Sequence, residues 1–148
     1  MAEIGFYHLT RTRLDRELPK LLGRTLAAQK RAFVLCREAA TVTALDKLLW
    51  EAPEPSWLPH GSAADGDADL QPIWLGVEAA PPNGATFLFL VDGADAGTLD
   101  GYERVFDLFD GNDEAAVGAA RQRWRDAKAT GHALTYWQQG PQRWEKKA

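Results

Sequence analysis

Cysteine is nearly absent from this chain of 148 residues, in which Cys36 stands alone. A single cysteine excludes an internal disulfide bond and any cysteine-based zinc cage. Long apolar runs are missing as well, because the longest, residues 32–36 and 87–91, have the length of buried strands. With no signal-peptide pattern at its N-terminus, the chain is expected to be a cytoplasmic protein without membrane contact.

Sequence motifs of common enzyme chemistries are missing too. The chain has no glycine-rich phosphate loop, no Gly-x-Ser-x-Gly elbow and no His-Glu-x-x-His pair. His8 and Asp92 each end a predicted strand, where an α/β enzyme could hold a small ligand, although a structural histidine is commoner and Asp-Gly is also frequent in turns. His60 is predicted to lie in a turn. The missing motifs lower the odds of catalysis without excluding it, and we expect no cofactor.

An acidic loop offers a candidate metal site. Residues 63–69 contain alternate aspartates that resemble the start of a calcium-binding loop (Asp65, Asp67 and Asp69). Leu70 and Gly76, however, occupy the positions where that loop needs a glycine and a bidentate glutamate. We therefore expect no metal at this loop.

Charge is sorted along the chain, although the net charge is only −4. Residues 1–50 carry nine Lys and Arg against five Asp and Glu, residues 51–114 carry one against fourteen, and residues 115–148 carry seven against two. Such asymmetry indicates a partner-facing end. A sequence pI of about 5.4 argues against free DNA or RNA as the main partner. An acidic peptide fits the basic end better.

Residues 112–131 have the pattern of a surface helix. Asn112 can cap the N-terminus, and Gly131 offers a left-handed stop. Apolar side chains recur every three or four residues and form one stripe (Ala116, Val117, Ala120, Trp124 and Ala127). The sequence thus predicts an amphipathic helix whose stripe has one edge at Val117 and Trp124.

A row of cations follows that edge of the stripe. Arg121, Arg125 and Lys128 lie about one turn apart, while Arg123 falls on the opposite flank. A cationic row beside a partly exposed tryptophan suits an acidic partner with an apolar anchor. A plain solvated helix face with Trp124 in the core explains the same pattern, and for a single helix it is the more common case.

Strand and helix patterns alternate along the rest of the chain. Strands are predicted at 4–9, 31–36, 73–75, 86–91, 105–109 and 133–137. A helix follows each of the first two strands, and Pro19 predicts a kink or a late start in the first. A short helix is expected before residue 105. This alternation implies right-handed crossovers, so we predict an α/β fold with a mainly parallel sheet. The predicted domain is 1–138, followed by a basic tail at 139–148 that is expected to be mobile.

Short segments distributed along almost the whole chain form a set in a fixed order. They are Phe6-Tyr7, Ala44-Leu45-Asp46, Leu49-Trp50, Ser56-Trp57-Leu58-Pro59-His60, Gln71-Pro72-Ile73-Trp74-Leu75, Asn83-Gly84-Ala85-Thr86, Phe106-Asp107-Leu108-Phe109-Asp110, Arg121 to Trp124, Ala127-Lys128, Gly131-His132 and Thr135-Tyr136-Trp137. No single segment is diagnostic. Together they resemble the chi subunit of bacterial DNA polymerase III holoenzyme.

The resemblance implies a fold and a site. The fold would be a three-layer α/β domain that resembles nucleotide-binding folds without binding a nucleotide. The function would be non-catalytic, tying the clamp loader to the acidic, apolar-ended C-terminal tail of single-stranded DNA-binding protein. By this resemblance Arg121 would face the terminal carboxylate or the tail aspartates. Arg125 and Lys128 would bind the remaining acidic residues of the tail. Val117, Trp124 and Phe109 would form the apolar pocket.

The resemblance also implies contact with the psi subunit or another clamp-loader component. The aromatic region of Trp50, Trp57 and Pro59 is the candidate surface, although the two tryptophans fit a core role equally well. Two other functions stay open at this point. One is an α/β enzyme with a small-ligand cleft near His8 and Asp92. The other is a nucleic-acid-binding module that uses the basic helix, whereas the chi role implies only weak or indirect nucleic-acid contact.

Overall fold

Strands and helices alternate in the computed structural model, which describes residues 3–10, 14–51, 58–62, 65–78, 83–97, 99, 101–139 and 144–147. The elements are β1 (Glu3–Leu9), α1 (Leu14–Ala27), β2 (Ala32–Leu35), α2 (Ala39–Glu51), β3 (Gly61–Ser62), β4 (Ile73–Gly76), β5 (Phe87–Val91), β6 (Arg104–Asp110), α3 (Glu114–Ala129), β7 (Ala133–Gln139) and β8 (Trp144–Lys146). A 3-10 turn at Ala68–Leu70 precedes β4. Within the described residues, no helix is both long and apolar enough to cross a membrane.

The strands form one sheet in the order β3-β4-β2-β5-β6-β1-β7-β8. Neighbouring strands are parallel except for β7 and β8, which pair antiparallel. Because strand side chains alternate between the two faces of a sheet, each face needs its own cover. Helices α1 and α2 cover one face and α3 covers the other. The predicted α/β fold with a mainly parallel sheet and three layers is therefore confirmed.

Each face has its own core. Leu22 of α1 and Leu49 of α2 are buried with Phe89 on the first face. Ala120 of α3 is buried with Leu88 on the second. Strand β5 is apolar at every position because both of its faces are covered, which agrees with the apolar run at 87–91.

The structure corrects two predictions about helices, while a kink at Pro19, predicted as the alternative to a late start, stays a prediction. Helix α1 begins at Leu14 and continues past Pro19, so it has no late start there. Pro19 cannot donate a backbone hydrogen bond, but Leu18 and Leu22 are fully buried beside it and hold the helix on the sheet. The short helix expected before β6 is not found among the described residues 99 and 101–103. Instead, Tyr102 is buried against the second core.

The C-terminal part of the chain continues the sheet. The predicted boundary after residue 138 falls inside β7, which extends to Gln139. Residues 144–146 of the expected tail form β8, and Trp144 packs edge-on against Tyr7 with 5.3 Å between ring centroids. The backbone N–H of Lys147 also donates to the carbonyl of Tyr136. This part of the tail is thus an edge strand.

Candidate functional site

Helix α3 ends at capping residues of the predicted kind, although its N-cap is not the predicted residue. Asp113 is the N-cap, and its side chain accepts hydrogen bonds from the backbone N–H groups of Ala115 and Ala116. The prediction of Asn112 as the cap is wrong, because the Asn112 side chain donates to the carbonyl of Thr10 instead. Gly131, with φ of +82°, follows the helix in the predicted left-handed conformation.

Trp124 lies at the edge between core and solvent. Its ring is partly buried and packs edge-on against Phe6, with centroids 5.3 Å apart, and against Tyr136, 5.8 Å apart. Val117, about two turns earlier on the same side of α3, is also partly exposed. The ring is therefore fixed in orientation from below and keeps a surface that a partner can cover.

Arg121, Arg125 and Lys128 are all exposed, as the row predicted from the sequence requires. Arg125 donates to the side chain of Gln122, whereas Arg121 and Lys128 form no hydrogen bond or ion pair with any described residue. Burial raises the pKa of the Tyr136 hydroxyl, and the Arg121 guanidinium opposes this by lowering it. We call Val117, Arg121, Trp124, Arg125 and Lys128 the α3 surface.

Phe109 is further from the α3 surface than the sequence suggested. It is buried, and its ring contacts His8 at 5.1 Å and Tyr136 at 6.1 Å between centroids. Tyr136 therefore lies between Phe109 and Trp124 and joins them. The contribution of Tyr136 was missed, although its place in an alternating strand pattern next to Trp137 was a usable signal.

His8 is a packed residue on the α3 side of β1. Its Nδ1 lies 2.6 Å from the hydroxyl of Tyr136, and its ring packs so closely on Gly111 that any larger side chain there would overlap it. Asp92 lies elsewhere, at the end of β5, with φ of +54°. The structure does not bring His8 and Asp92 into one cleft, because Asp92 lines a cleft that His8 does not reach.

That cleft, the strand-end cleft, lies at the carboxyl ends of β1, β5 and β6 and has a volume of about 910 Å³. Its lining includes Leu9, Leu14, Arg37, Asp92, Ala119 and Arg123. Except for Phe109, none of the predicted tail-binding residues lines it. The α3 surface and the strand-end cleft are therefore on opposite flanks of the same helix.

On the side of α3 that lines the strand-end cleft, a buried ion pair joins the helix to the sheet. Arg123 Nε and Nη2 donate to the two carboxylate oxygens of Asp107 at 2.6 and 2.9 Å. Burial raises the pKa of the Asp107 carboxyl, and its hydrogen bonds with Arg123 and the charge of that guanidinium act in the opposite direction. The pair was not predicted. Its signal was the one acidic residue inside the apolar strand at 105–109.

The candidate clamp-loader surface is only partly described. Trp50 is 62% exposed at the end of α2, and Pro59 is partly buried. Trp57 lies outside the described residues. Trp50 is thus not a core residue, and its ring rests on His60 with 4.6 Å between centroids.

His60 is buried, and it lies in the irregular segment before β3 rather than in the predicted turn. The His60 Nδ1 atom lies 2.7 Å from the carbonyl oxygen of Leu58, and Nε2 lies 3.3 Å from the carbonyl oxygen of Asp46. Nε2 is also 3.1 Å from Asp46 Oδ1, but these two atoms are not aligned for a hydrogen bond. These contacts tie the segment before β3 to α2. The histidine therefore supports the exposed ring of Trp50 from beneath.

The acidic loop has no metal-binding geometry in its described part. Asp65 accepts a hydrogen bond from the backbone N–H of Ser62 and stabilises a local turn. Across the described chain, no three His, Cys, Asp or Glu side chains are placed to bind one metal ion.

The fold and the α3 surface define a small three-layer α/β protein with a basic and aromatic helix surface. The family of the DNA polymerase III chi subunit, HolC, matches residues 1–135, and the chain belongs to this family. Its members are accessory subunits of a replicative polymerase. Among curated proteins, the chain is similar to the probable DNA polymerase III subunit chi of Rickettsia prowazekii (strain Madrid E), with 24% identity over 95 residues. That match covers 64% of this chain and 58% of the relative's length.

Proposed function

We propose that this chain is a non-catalytic accessory subunit of DNA polymerase III that binds the acidic C-terminal tail of single-stranded DNA-binding protein on the α3 surface. The observation that carries the proposal is a fixed, partly exposed Trp124 beside two unpaired cations, Arg121 and Lys128. An apolar terminal residue of the tail would cover Trp124 and Val117. Arg121, whose charge acts on Tyr136, would receive the terminal carboxylate or a tail aspartate.

Electrostatics supports an acidic peptide over other ligands at this surface. Arg125 and Lys128 extend the positive charge toward the end of α3, where cations are also favoured by the helix dipole. The row is short and lies on a protein of net charge −4. A long nucleic acid would meet repulsion beyond it, whereas a short acidic segment would not.

Alanine substitutions at Arg121 and Lys128 should each weaken binding of a peptide with the tail's acidic, apolar-ended sequence. The expected cost is about 1–3 kcal/mol for a well-formed charge-assisted hydrogen bond and less where water screens it. Isothermal calorimetry with the purified protein measures the change. Lys47→Ala is the matched control, since Lys47 is an exposed lysine of α2 on the other face. Wild-type affinity in the folded Arg121/Lys128 double variant would remove these residues from the site.

A nucleic-acid role for the same helix predicts a different result. Affinity for single-stranded DNA would then rise with its length and fall steeply with salt. The proposed role predicts instead that the protein alone binds DNA weakly and gains apparent affinity when tail-bearing single-stranded DNA-binding protein coats it. Removing the tail should abolish that gain.

We also propose that Trp50 and Pro59, together with Trp57, contact the psi subunit or another clamp-loader component. An exposed tryptophan held against a buried histidine is a preorganised anchor. Trp50→Ala should therefore weaken co-purification with the clamp loader. It should leave tail-peptide binding unchanged, because Trp50 and α3 lie on opposite faces of the sheet.

The absence of intrinsic catalysis is a further part of the proposal. His8 is held by Tyr136, and Asp92 faces a different region, so they cannot act together as acid and base. The purified protein should hydrolyse no nucleotide and add no nucleotide to a primer in radiolabel assays. Activity that co-purifies with the protein and disappears in His8→Ala or Asp92→Ala would contradict this.

A further inference from the structure

The strand-end cleft lies where the chain reverses its winding. Strands β1 and β6 are neighbours, yet α1 follows β1 onto one face of the sheet and α3 follows β6 onto the other. Open α/β sheets hold ligands outside the carboxyl ends of their strands at such a point. The volume of about 910 Å³ also lies in the range of small-molecule sites. Its position and its volume therefore both identify this cleft as a candidate ligand site.

Two guanidinium groups lie near Gly93 at one end of the cleft. A Cβ atom on Gly93 would lie 3.9 Å from Arg37 Nη1 and 4.0 Å from Arg123 Nη1. Because Arg123 uses Nε and Nη2 to bind Asp107, its Nη1 remains available on the cleft side. Arg37 is exposed and has no hydrogen bond or ion pair with any described residue. This end of the cleft therefore presents N–H donors suited to a carboxylate or phosphate.

Carboxylates at the rim restrict the size of that anion. Asp113 caps α3, and Asp110 accepts a hydrogen bond from the backbone N–H of Asn112 at 2.9 Å. Asp92 Oδ2 lies 3.5 Å from the hydroxyl of Thr41. These groups are engaged within the chain, but their charge would repel a polyanion such as a triphosphate or a nucleic-acid backbone. A single compact anionic group at the two arginines carries less charge and would meet less of this repulsion.

Another part of the cleft is apolar. Leu9 and Leu14 line it from β1 and α1, and Ala115 and Ala119 line it from α3. The small alanine side chains leave width between the two helices for a ring or a short aliphatic body. A charged end and an apolar end in one cleft favour an amphipathic ligand.

We propose that the strand-end cleft binds a small organic anion, with its carboxylate or phosphate between Arg37 and Arg123 and its apolar body against Leu14 and Ala119. This site is separate from the α3 surface and does not depend on tail binding there. Carboxylate and phosphate share the same recognition by paired guanidinium groups, and the experiment separates them.

The test is an amide-shift titration by nuclear magnetic resonance with four probes. Phenylacetate and phenyl phosphate carry both features, inorganic phosphate carries only the anion, and benzyl alcohol carries only the ring. We expect saturable shifts at Gly93, Asn112 and Ala119 with phenylacetate or phenyl phosphate, and the better of the two identifies the anion. Benzyl alcohol and inorganic phosphate should bind at least about tenfold more weakly than that probe.

Arg37→Ala should weaken the better probe by about tenfold, and Arg37→Gln serves if the alanine variant does not fold. Arg24→Ala is the matched control, because Arg24 is an exposed arginine at the other end of α1. The proposal is overturned if neither double-featured probe gives saturable shifts. It is equally overturned if Arg37→Ala changes nothing, if benzyl alcohol binds as well, or if the shifts map to Trp124 and Tyr136.

Discussion

Replacing Arg123 by alanine should lower the free energy of unfolding by about 3–5 kcal/mol, because it leaves a buried carboxylate without its cation. Asp107 is only 2% exposed, and both of its oxygens accept hydrogen bonds from Arg123. Urea unfolding followed by circular dichroism measures the change. A loss below about 1 kcal/mol would show that the pair is not what holds α3 to β6.

A double variant and a pH series make that experiment specific. Asp107→Leu with Arg123→Met replaces the pair by apolar groups and should restore much of the stability lost in Arg123→Ala. A buried carboxyl with a raised pKa holds its proton more tightly in the folded state, so it favours folding at acidic pH and loses that effect as pH rises through its folded pKa. The cost of Arg123→Ala should therefore shrink toward acidic pH. A cost independent of pH would contradict the assignment to charge.

Loss of the Trp124 ring should reduce tail-peptide affinity by about 2 kcal/mol or more, as central aromatic anchors often do. Trp124→Ala should also lower stability, because the ring contacts Phe6 and Tyr136. That loss should stay below the about 3–5 kcal/mol typical of fully buried tryptophans, since the ring is partly exposed. Calorimetry and urea unfolding on the same variant give both numbers.

Trp137→Ala is the matched control for that experiment. Trp137 is partly buried on the other face of β7, where its ring stacks on Tyr7. The Trp137→Ala variant should be less stable than the wild type and should bind the tail peptide with unchanged affinity. If Trp124→Ala loses stability but binds the peptide normally, Trp124 is a core residue and the tail-binding pocket lies elsewhere.

The layer architecture was predictable because it depends on local patterns. The apolar runs at 32–36 and 87–91 became the central strands β2 and β5, and the alternation of strands with helices required parallel pairing. The N-cap residue of α3 was harder to predict. Asn112 and Asp113 both suit an N-cap, and only the contact of Asn112 with Thr10 decides between them. Strand β8 was missed because it is only three residues long and its pairing with β7 is a tertiary contact.

Contacts between distant residues limited what could be predicted of the site. The stripe of α3 correctly gave the exposed row and the edge position of Trp124, since helix periodicity alone fixes them. Which rings lie beneath Trp124 depends instead on strand order, which brings Phe6 and Tyr136 together from opposite ends of the chain. The placement of Arg37 and Arg123 near Gly93 likewise requires β2 and β5 to be adjacent.

The two edges of the sheet also determine how the protein behaves at high concentration. Open strand edges recruit other chains, and proteins commonly block them with short edge strands and lysines. Here one edge is β3, of two residues, and the other is β8, of three residues including Lys146 and followed by Lys147. Within the described residues, neither of these two strands has enough free hydrogen-bonding groups to form a long ladder, although residues 133–135 of β7 extend beyond β8. Strand addition at β3 or β8 is thereby disfavoured.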